Sequence, residues 1–346
     1  MDQLTAKPQV LKQANLSMIR KALKEKGSAT RAEIAVATQI SSTTVRSILS
    51  EMIENGEIES IGHDASSGGR KAERYRLRPD RYHGAVFCIS GQELHSLLIN
   101  ACGEIQETFC LEVPDRNFER EMTSVLDDLT SRIEIRTIGI GVPGIVEGGS
   151  YWKKSLADDK LYRVDIGARI SEKYKIPVVL ENNLNATTIG FVKCYQNQYP
   201  KEPSEGINMA YLHFSKGCVS AGFIAGGRII RGNSNFAGEL GLIPMEDGRT
   251  LDEWMADTLD DVQYTRLMAK IIYWVCGILN PQYIALAGED LRKDCIGPIS
   301  DTVFSYLSQP MMPEILYSSD VWMDFHHGMS LLTAGKMFEE VQLIKE

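Results

Sequence analysis

Apolar residues fall at helical spacing in the first 55 positions. Ala14, Met18, Ala22 and Leu23 mark one face of a helix predicted over residues 11–26, and Gly27 stops it. Thr30-Arg31-Ala32-Glu33 is a capping box: the Thr30 hydroxyl can take the Glu33 N–H while the Glu33 carboxylate reaches back. A short second helix through Ala37 and a tight turn at Gln39-Ile40-Ser41 follow. Ser41 is placed to cap a third helix, over 42–55, in which Val45, Ile48, Leu49, Met52 and Ile53 make one apolar stripe before Gly56 ends it. The period then changes to two. Residues 57–61 alternate, 62–69 form a loop, and Tyr75-Arg76-Leu77 alternate again, which predicts a hairpin.

After a linker at Arg78-Pro79-Asp80 the pattern becomes a strand–helix alternation. Strands are predicted at 85–90, 94–100, from 105, 137–142, 176–180, 209–214, 219–224 and 284–287. Helices are predicted at 118–132, after 185, between 252 and 279, and from there to the end apart from the strand at 284. This is an α/β layout with mixed sheets. The chain therefore divides at 80/81 into a small helical and hairpin unit, 1–80, and a larger α/β unit, 81–346. The helix around 264–279 reads as core, or, from its aromatic residues, as a subunit interface. Trp152-Lys153-Lys154 reads as a solvated loop. His326-His327 is read as the start of the last helix, without a carboxylate or cysteine partner at metal spacing.

Composition narrows the class. Of 346 residues, 43% are hydrophobic and 24% charged, which is globular. No apolar run is long enough to span a bilayer and no leader is read at the N-terminus, so the expectation is a soluble cytoplasmic protein. The seven cysteines include no Cys-x-x-Cys pair, against a disulfide framework or a compact zinc knuckle, and most are expected to be buried thiols. The net charge of −9 is uneven: residues 1–82 carry +4 and the remainder −13. Any nucleic-acid contact must come from the basic N-terminal part, because an acidic body repels phosphate.

The local chemistry there fits such a contact. Opposite the apolar stripe, the third helix presents Ser42, Thr43, Arg46, Ser47 and Ser50, small hydroxyls and one guanidinium that can approach base edges or phosphates. Ser42, Thr43, Thr44 and Arg46 are the expected major-groove residues. The hairpin has a basic tip and return strand, Arg70, Lys71, Arg74, Arg76 and Arg78, with Gly68-Gly69 letting the backbone lie against a duplex. Arg70 and Lys71 are the expected flanking contacts. Three helices and this hairpin make a winged helix-turn-helix; a protein-interaction module with a solvated basic edge is the rival reading.

The motifs of the larger unit resemble those of the ROK family (repressors, open reading frames and sugar kinases). Arg231-Gly232-Asn233-Ser234-Asn235-Phe236-Ala237-Gly238-Glu239-Leu240-Gly241 is similar to the family's core motif. Gly139 to Gly144, Glu181-Asn182-Asn183-Leu184-Asn185 and Asn280 to Gly288 fit it in order and spacing. The resemblance implies a fold with a winged helix-turn-helix followed by a two-lobed, actin-like (sugar kinase/ROK) domain and a hexose cleft. It also implies a DNA-binding regulator, expected as a repressor of carbohydrate metabolism, acting as a homodimer or tetramer on an inverted-repeat operator in double-stranded DNA.

The same resemblance implies that catalysis is lost. The family's kinases open with Asp-x-Gly-Gly-Thr, where this chain has Cys88-Ile89-Ser90-Gly91-Gln92. The second phosphate loop is matched by Lys216-Gly217-Cys218-Val219-Ser220, with side chains where backbone should meet phosphate. The family's catalytic Asp is Asn183, and an amide is no general base. The zinc site fails as well, with Leu242 at the His position and no cysteine in 245–250, so no metal and no cofactor are expected. Gly144, Asn182, Asn183, Glu239 and Asp252 match cleft positions, and two readings of them stand: a pocket for a sugar or sugar-phosphate effector, or a vestigial cleft in which Glu239 stabilises the fold. The alternatives for the whole chain are a sugar kinase with an added DNA-binding domain and a ligand-blind regulator that works through a protein partner.

Overall fold

The computed structural model describes residues 8–63, 72–154, 161–199, 206–215 and 217–337. The chain opens with α1 (Pro8–Lys26), β1 (Ala29–Thr30), α2 (Arg31–Thr38) and α3 (Ser42–Glu54), then the hairpin β2 (Ile58–His63) and β3 (Glu73–Leu77). The predicted capping box is present: Thr30 Oγ1 accepts from Glu33 N, and Glu33 accepts from Thr30 N at 2.8 Å. Gln39 is left-handed (φ 57°) and ends α2, and Ser41 Oγ accepts from Thr44 N to start α3. Val45, Ile48, Leu49 and Met52 pack against Leu16, Ile19, Leu23 and Ile34 in one small core. Ile53, placed in that stripe by its spacing, is instead 44% exposed, because the stripe drifts off the buried face by the last turn. Arg20 of α1 donates to the nearly buried Glu57 at 2.8 Å and so ties the first helix to the root of the wing.

The larger unit is built on two five-stranded sheets. The first contains β4 (His83–Ser90), β5 (Glu93–Asn100), β6 (Ile105–Glu112), β7 (Ile135–Val142) and, after β8 (Ile145–Glu147), β9 (Ser150–Lys154) and β10 (Leu161–Val164), also β11 (Val178–Asn182). Its order is β11-β7-β4-β5-β6, with β4, β7 and β11 parallel. Helices α4 (Phe118–Arg132) and α5 (Ile166–Tyr174) supply its outer crossovers, and Met122, Leu126 and Leu129 of α4 pack onto it. After α6 (Asn183–Gln198) come β12 (Met209–Ser215), β13 (Cys218–Ala225), β14 (Arg228–Ile229), α7 (Leu251–Met255), α8 (Asp261–Leu279), β15 (Tyr283–Ala287), α9 (Ile296–Tyr306), β16 (Glu314–Tyr317) and α10 (Val321–Lys336). The second sheet has the order β14-β13-β12-β15-β16, and α8 and α9 cover it.

Helices α6 and α10 cross between the sheets, α10 against β4 and β7 and α6 against β12 and β13. Two glycines bring them together. A Cβ on Gly190 would stand 1.8 Å from the Asp324 carbonyl oxygen, and one on Gly328 1.7 Å from that of Ala186. Glycine inside a helix costs about 1 kcal/mol relative to alanine; here the close approach of two backbones requires it.

Several expectations need correction. The segment read as a solvated loop at 152–154 is part of a small sheet, β8–β9–β10, in which the Trp152 indole donates to Glu147 at 3.3 Å. Strand β16 interrupts the run of helices expected after Ala287. Helix α10 starts at Val321 under an Asp320 cap, so His326 and His327 lie inside it. His327 Nδ1 lies 3.0 Å from Cys194 Sγ, and His326 Nε2 lies 2.8 Å from His95 Nδ1. Only Cys88, Cys276 and Cys295 are buried; Cys110 and Cys218 are exposed.

The winged unit rests on the body through Arg81. Its Nε donates to Asn55 O at the end of α3 (3.2 Å) and its Nη1 to Glu134 (3.0 Å). Lys24 of α1 adds a bond to Cys102 O at 2.7 Å.

Candidate functional sites: an exposed helix face and an interlobe cleft

Helix α3 turns Ser42, Thr43, Arg46, Ser47 and Ser50 to solvent, opposite its buried stripe. Thr44, expected on the same face, is half-buried with its hydroxyl 2.8 Å from Ser41 Oγ, so it belongs to the helix cap. An open groove of about 590 Å³ runs along Thr43, Arg46, Ser47, Ser50, Glu51 and Glu54. Its charge is graded. Ser42, Thr43, Arg46 and Ser47 stand in the N-terminal half, and the first turn is where the helix dipole is positive and favours phosphate. Glu54 is at the far end, and Glu51 is paired with Lys12 at 2.8 Å. Arg46 makes no ion pair among the described residues. Arg70 and Lys71 lie outside the described residues. Of the other basic wing residues, Arg74 bonds Glu33 (3.2 Å) and Ser28 O (3.1 Å), and Arg76 pairs with Glu59, so the return strand carries less free positive charge than its composition implies.

The second site lies past the carboxyl ends of the parallel strands, the usual ligand position in an α/β sheet. Gly144 follows β7; its φ is +134°, and a Cβ there would stand 2.2 Å from Trp152 O, so no side chain fits. Asn182 ends β11. Its Oδ1 accepts from Leu184 N (2.8 Å) and Asn185 N (3.2 Å), and its Nδ2 donates to Gly144 O (2.9 Å). Asn182 thus caps α6 and ties two strand ends together. Asn183 Nδ2 donates to Ile89 O at 2.8 Å, while its Oδ1 is buried with no hydrogen-bond partner among the described residues.

On the other lobe, Asp252 Oδ1 accepts from Val219 N at 2.7 Å. Glu239 is half-buried beside it, and burial first, then the Asp252 charge, hold its carboxyl above the usual carboxylate range. No side-chain hydrogen bond to Glu239 is made among the described residues. The structure therefore joins Gly144 to Asn182 directly and couples Glu239 to Asp252 electrostatically. Two acceptors, Asn183 Oδ1 and the Glu239 carboxylate, are left needing donors, and hydroxyl groups of a polyol are such donors.

Sequence reasoning missed the link between the lobes. Glu181 at the end of β11 is 5% exposed and accepts from Asn182 N and Asn185 Nδ2, both at 3.0 Å. Its second oxygen takes Nε of Arg231 at 3.0 Å and a further bond from Nη2. Arg231 belongs to the segment after β14, on the other sheet. A Glu at a strand end just before a helix start is a signal of a buried carboxylate seeking a cation, and Arg231 heads the next motif.

Where the family resemblance implies lost phosphate and zinc chemistry, other contacts are found. Cys88 is fully buried and its thiol is pushed well up. Gln92 Nε2 donates to Pro114 O at 3.2 Å. Leu242 is 49% exposed. The loop after it is held by Met245 N to Arg249 O (2.7 Å), by Arg249 paired with Asp247 and Asp257 (2.8 Å each), and by the Trp254 indole on Asp247 (2.9 Å).

Comparison with known proteins agrees with this architecture. Residues 88–259 match the ROK family and residues 15–71 the family described as FeoC like transcriptional regulator. The xylose repressor of Caldicellulosiruptor bescii is 25% identical over 241 residues, a match that takes in 67% of this chain and 59% of that protein. The xylose repressor of Lactiplantibacillus pentosus is 24% identical, with 93% of each chain covered. Among solved structures, a ROK family transcriptional regulator described as a homolog of the E. coli MLC protein superposes with a TM-score of 0.72 at 14% identity, over 95% of this chain and 98% of that one. At that identity the likeness is one of fold, and it extends across both the winged unit and the two-sheet body. A winged helix matching a transcriptional-regulator family is followed by a two-lobed body, and this chain carries a ROK family domain over residues 88–259.

Proposed function

We propose that this protein is a DNA-binding transcriptional regulator of carbohydrate metabolism, a repressor, and not a sugar kinase. The observation that carries the reading is the α3 face: hydroxyls and Arg46, which has no ion pair among the described residues, at the positive end of an exposed helix, on a winged fold ahead of a ROK body. Ser42, Thr43 and Arg46 face the major groove, and Arg70 and Lys71 of the wing hold the flanking backbone or minor groove. Thr44 positions the helix through its cap. The unit 1–80 reads DNA and 81–346 carries the effector cleft and the oligomer contacts. A homodimer or tetramer on an inverted repeat follows from two-fold symmetry, and the operator places the protein in the cytoplasm. The names of the xylose repressors, and the loss of the kinase base at Asn183, support a regulator over an enzyme.

The cleft serves as the effector site. Asn183 and Glu239 contact the ligand; Gly144, Asn182 and Asp252 shape the site through the bonds described above. A ligand that fits one lobe angle better than the other shifts the spacing of the two winged units by as much as its affinities differ. The test is operator binding at several salt concentrations. Arg46→Ala should weaken binding by about 1–3 kcal/mol, and Arg70→Ala should lower the salt slope by about one counterion. Unchanged affinity and slope in both variants sink the DNA assignment. Turnover of ATP with a hexose at ordinary kinase rates sinks the non-enzyme reading, and calorimetric silence across a sugar panel favours the ligand-blind regulator.

A further inference from the structure

Resting on the sugar-effector reading, we infer that the cleft takes an uncharged carbohydrate and rejects its phosphate esters, because Glu289 and Asp290 stand as resident anions on its second-lobe rim. Strands β12 and β15 run parallel with His213 opposite Ala287, so their carboxyl ends open on one side. The chain leaves β15 through Gly288-Glu289-Asp290. Gly288 has φ +110°, and a Cβ there would stand 2.0 Å from Phe214 O. This tight exit presses the acidic pair against the β12–β13 turn. Asp290 Oδ2 accepts from Gly217 N at 2.8 Å, and Glu289 Oε1 accepts from Ser215 Oγ at 2.9 Å.

A glycine-turn N–H at the end of a strand is the natural handle for a phosphate oxygen. Here a carboxylate of the protein already holds it. Two residues on, Val219 N is held in the same way by Asp252. The acidic groups form one field: the Cys218 thiol between them is pushed up by burial and then by both Asp252 and Asp290, and the Glu239 carboxyl is raised by burial and Asp252. The Arg231 guanidinium is engaged by Glu181 of the other lobe. Lys216 lies outside the described residues. A phosphate ester entering this rim meets Glu239, Asp252, Glu289 and Asp290, whereas a neutral polyol supplies the hydroxyl donors that Asn183 Oδ1 and Glu239 lack.

Isothermal titration of the full-length protein with neutral aldopentoses, aldohexoses and N-acetylhexosamines, each beside its phosphate ester, tests this. The expected result is a neutral sugar that binds at least about ten-fold tighter than its ester, and a ratio that falls in the Glu289→Gln/Asp290→Asn double variant, which keeps both acceptors but removes the charge. An ester that binds the unaltered protein as tightly as its parent sugar, or a ratio that does not move in the double variant, overturns the inference and leaves the effector reading standing. Silence toward every sugar and ester removes both.

Discussion

Asp324 offers a quantitative test of how the two lobes are joined. It lies on α10 at the crossing with α6, 2% exposed, and accepts from Ser318 Oγ at 2.5 Å and from Tyr211 Oη of β12 at 3.2 Å. Both of these partners are neutral hydroxyls, and burial lifts its pKa from 3.8 to about 6 against the opposing pull of the two hydrogen bonds. The folded-state value is raised, so below about pH 4 both folded and unfolded chains carry the proton and no penalty arises. As pH rises through the window from 3.8 to 6 the unfolded chain ionises first, and stability falls. A shift of about two units corresponds to roughly 3 kcal/mol lost by pH 7, of which about 1 kcal/mol falls between pH 5 and pH 7. Asp324→Asn keeps an acceptor for Ser318 and Tyr211 and cannot ionise. Urea unfolding of both proteins from pH 5 to pH 8 should show the variant gaining on the parent by about 1 kcal/mol across that range. Any constant offset from the amide is removed by reading the slope of the difference, and His326, which titrates in both chains, cancels. A difference that stays flat with pH, or declines, refutes the assignment of a strained buried carboxylate to this crossing.

Three further outcomes are expected. Arg231→Ala leaves the nearly buried Glu181 without its cation and should destabilise by about 3 kcal/mol, the low end for a buried pair because the guanidinium is 38% exposed; adding Glu181→Gln should recover most of the loss in denaturant unfolding, and additive losses would contradict the pairing. Arg81→Ala removes the bonds to Asn55 O and Glu134; it should leave operator affinity within about 1 kcal/mol while weakening the change in affinity that an effector produces, and a full effector response in gel-shift titration would deny Arg81 that role. Because ion pairs and Trp254 hold the 244–250 loop, chelator should not move the unfolding midpoint and purified protein should carry no stoichiometric zinc by elemental analysis, whereas Arg249→Ala should lower the midpoint; one bound zinc per chain would overturn this.

The elements legible in the sequence are those set by neighbours along the chain. Thr30 and Glu33, or Ser41 and Thr44, are three residues apart, and their caps form as their spacing implies. Phe118–Arg132 is bounded as its amphipathic pattern predicts. Four-residue β16 was not legible: Glu314–Tyr317 lies between Pro313 and a turn, and it becomes a strand only because Ile284 and Leu286 of β15 offer a parallel edge. The small β8–β10 sheet likewise depends on pairing that no local pattern shows, Arg163 opposite Trp152. At the cleft, the motif positions carry structural bonds that their spacing does not announce. Asn182 is taken up in capping and Asp252 in holding Val219 N, while the Glu181–Arg231 bridge joins residues 50 apart that no local pattern connects.

The meeting of α6 and α10 at Gly190 and Gly328 has a mechanical consequence. Backbone rests on backbone there, with no side chains between to compress or swap rotamers. Such a joint behaves like the rivet of a pair of scissors: the blades can change their opening, but they cannot slide or part without breaking it. A swing of one lobe against the other would therefore turn about this point, and Thr333 of α10, packed against Gly139 of β7, rides on the same shaft.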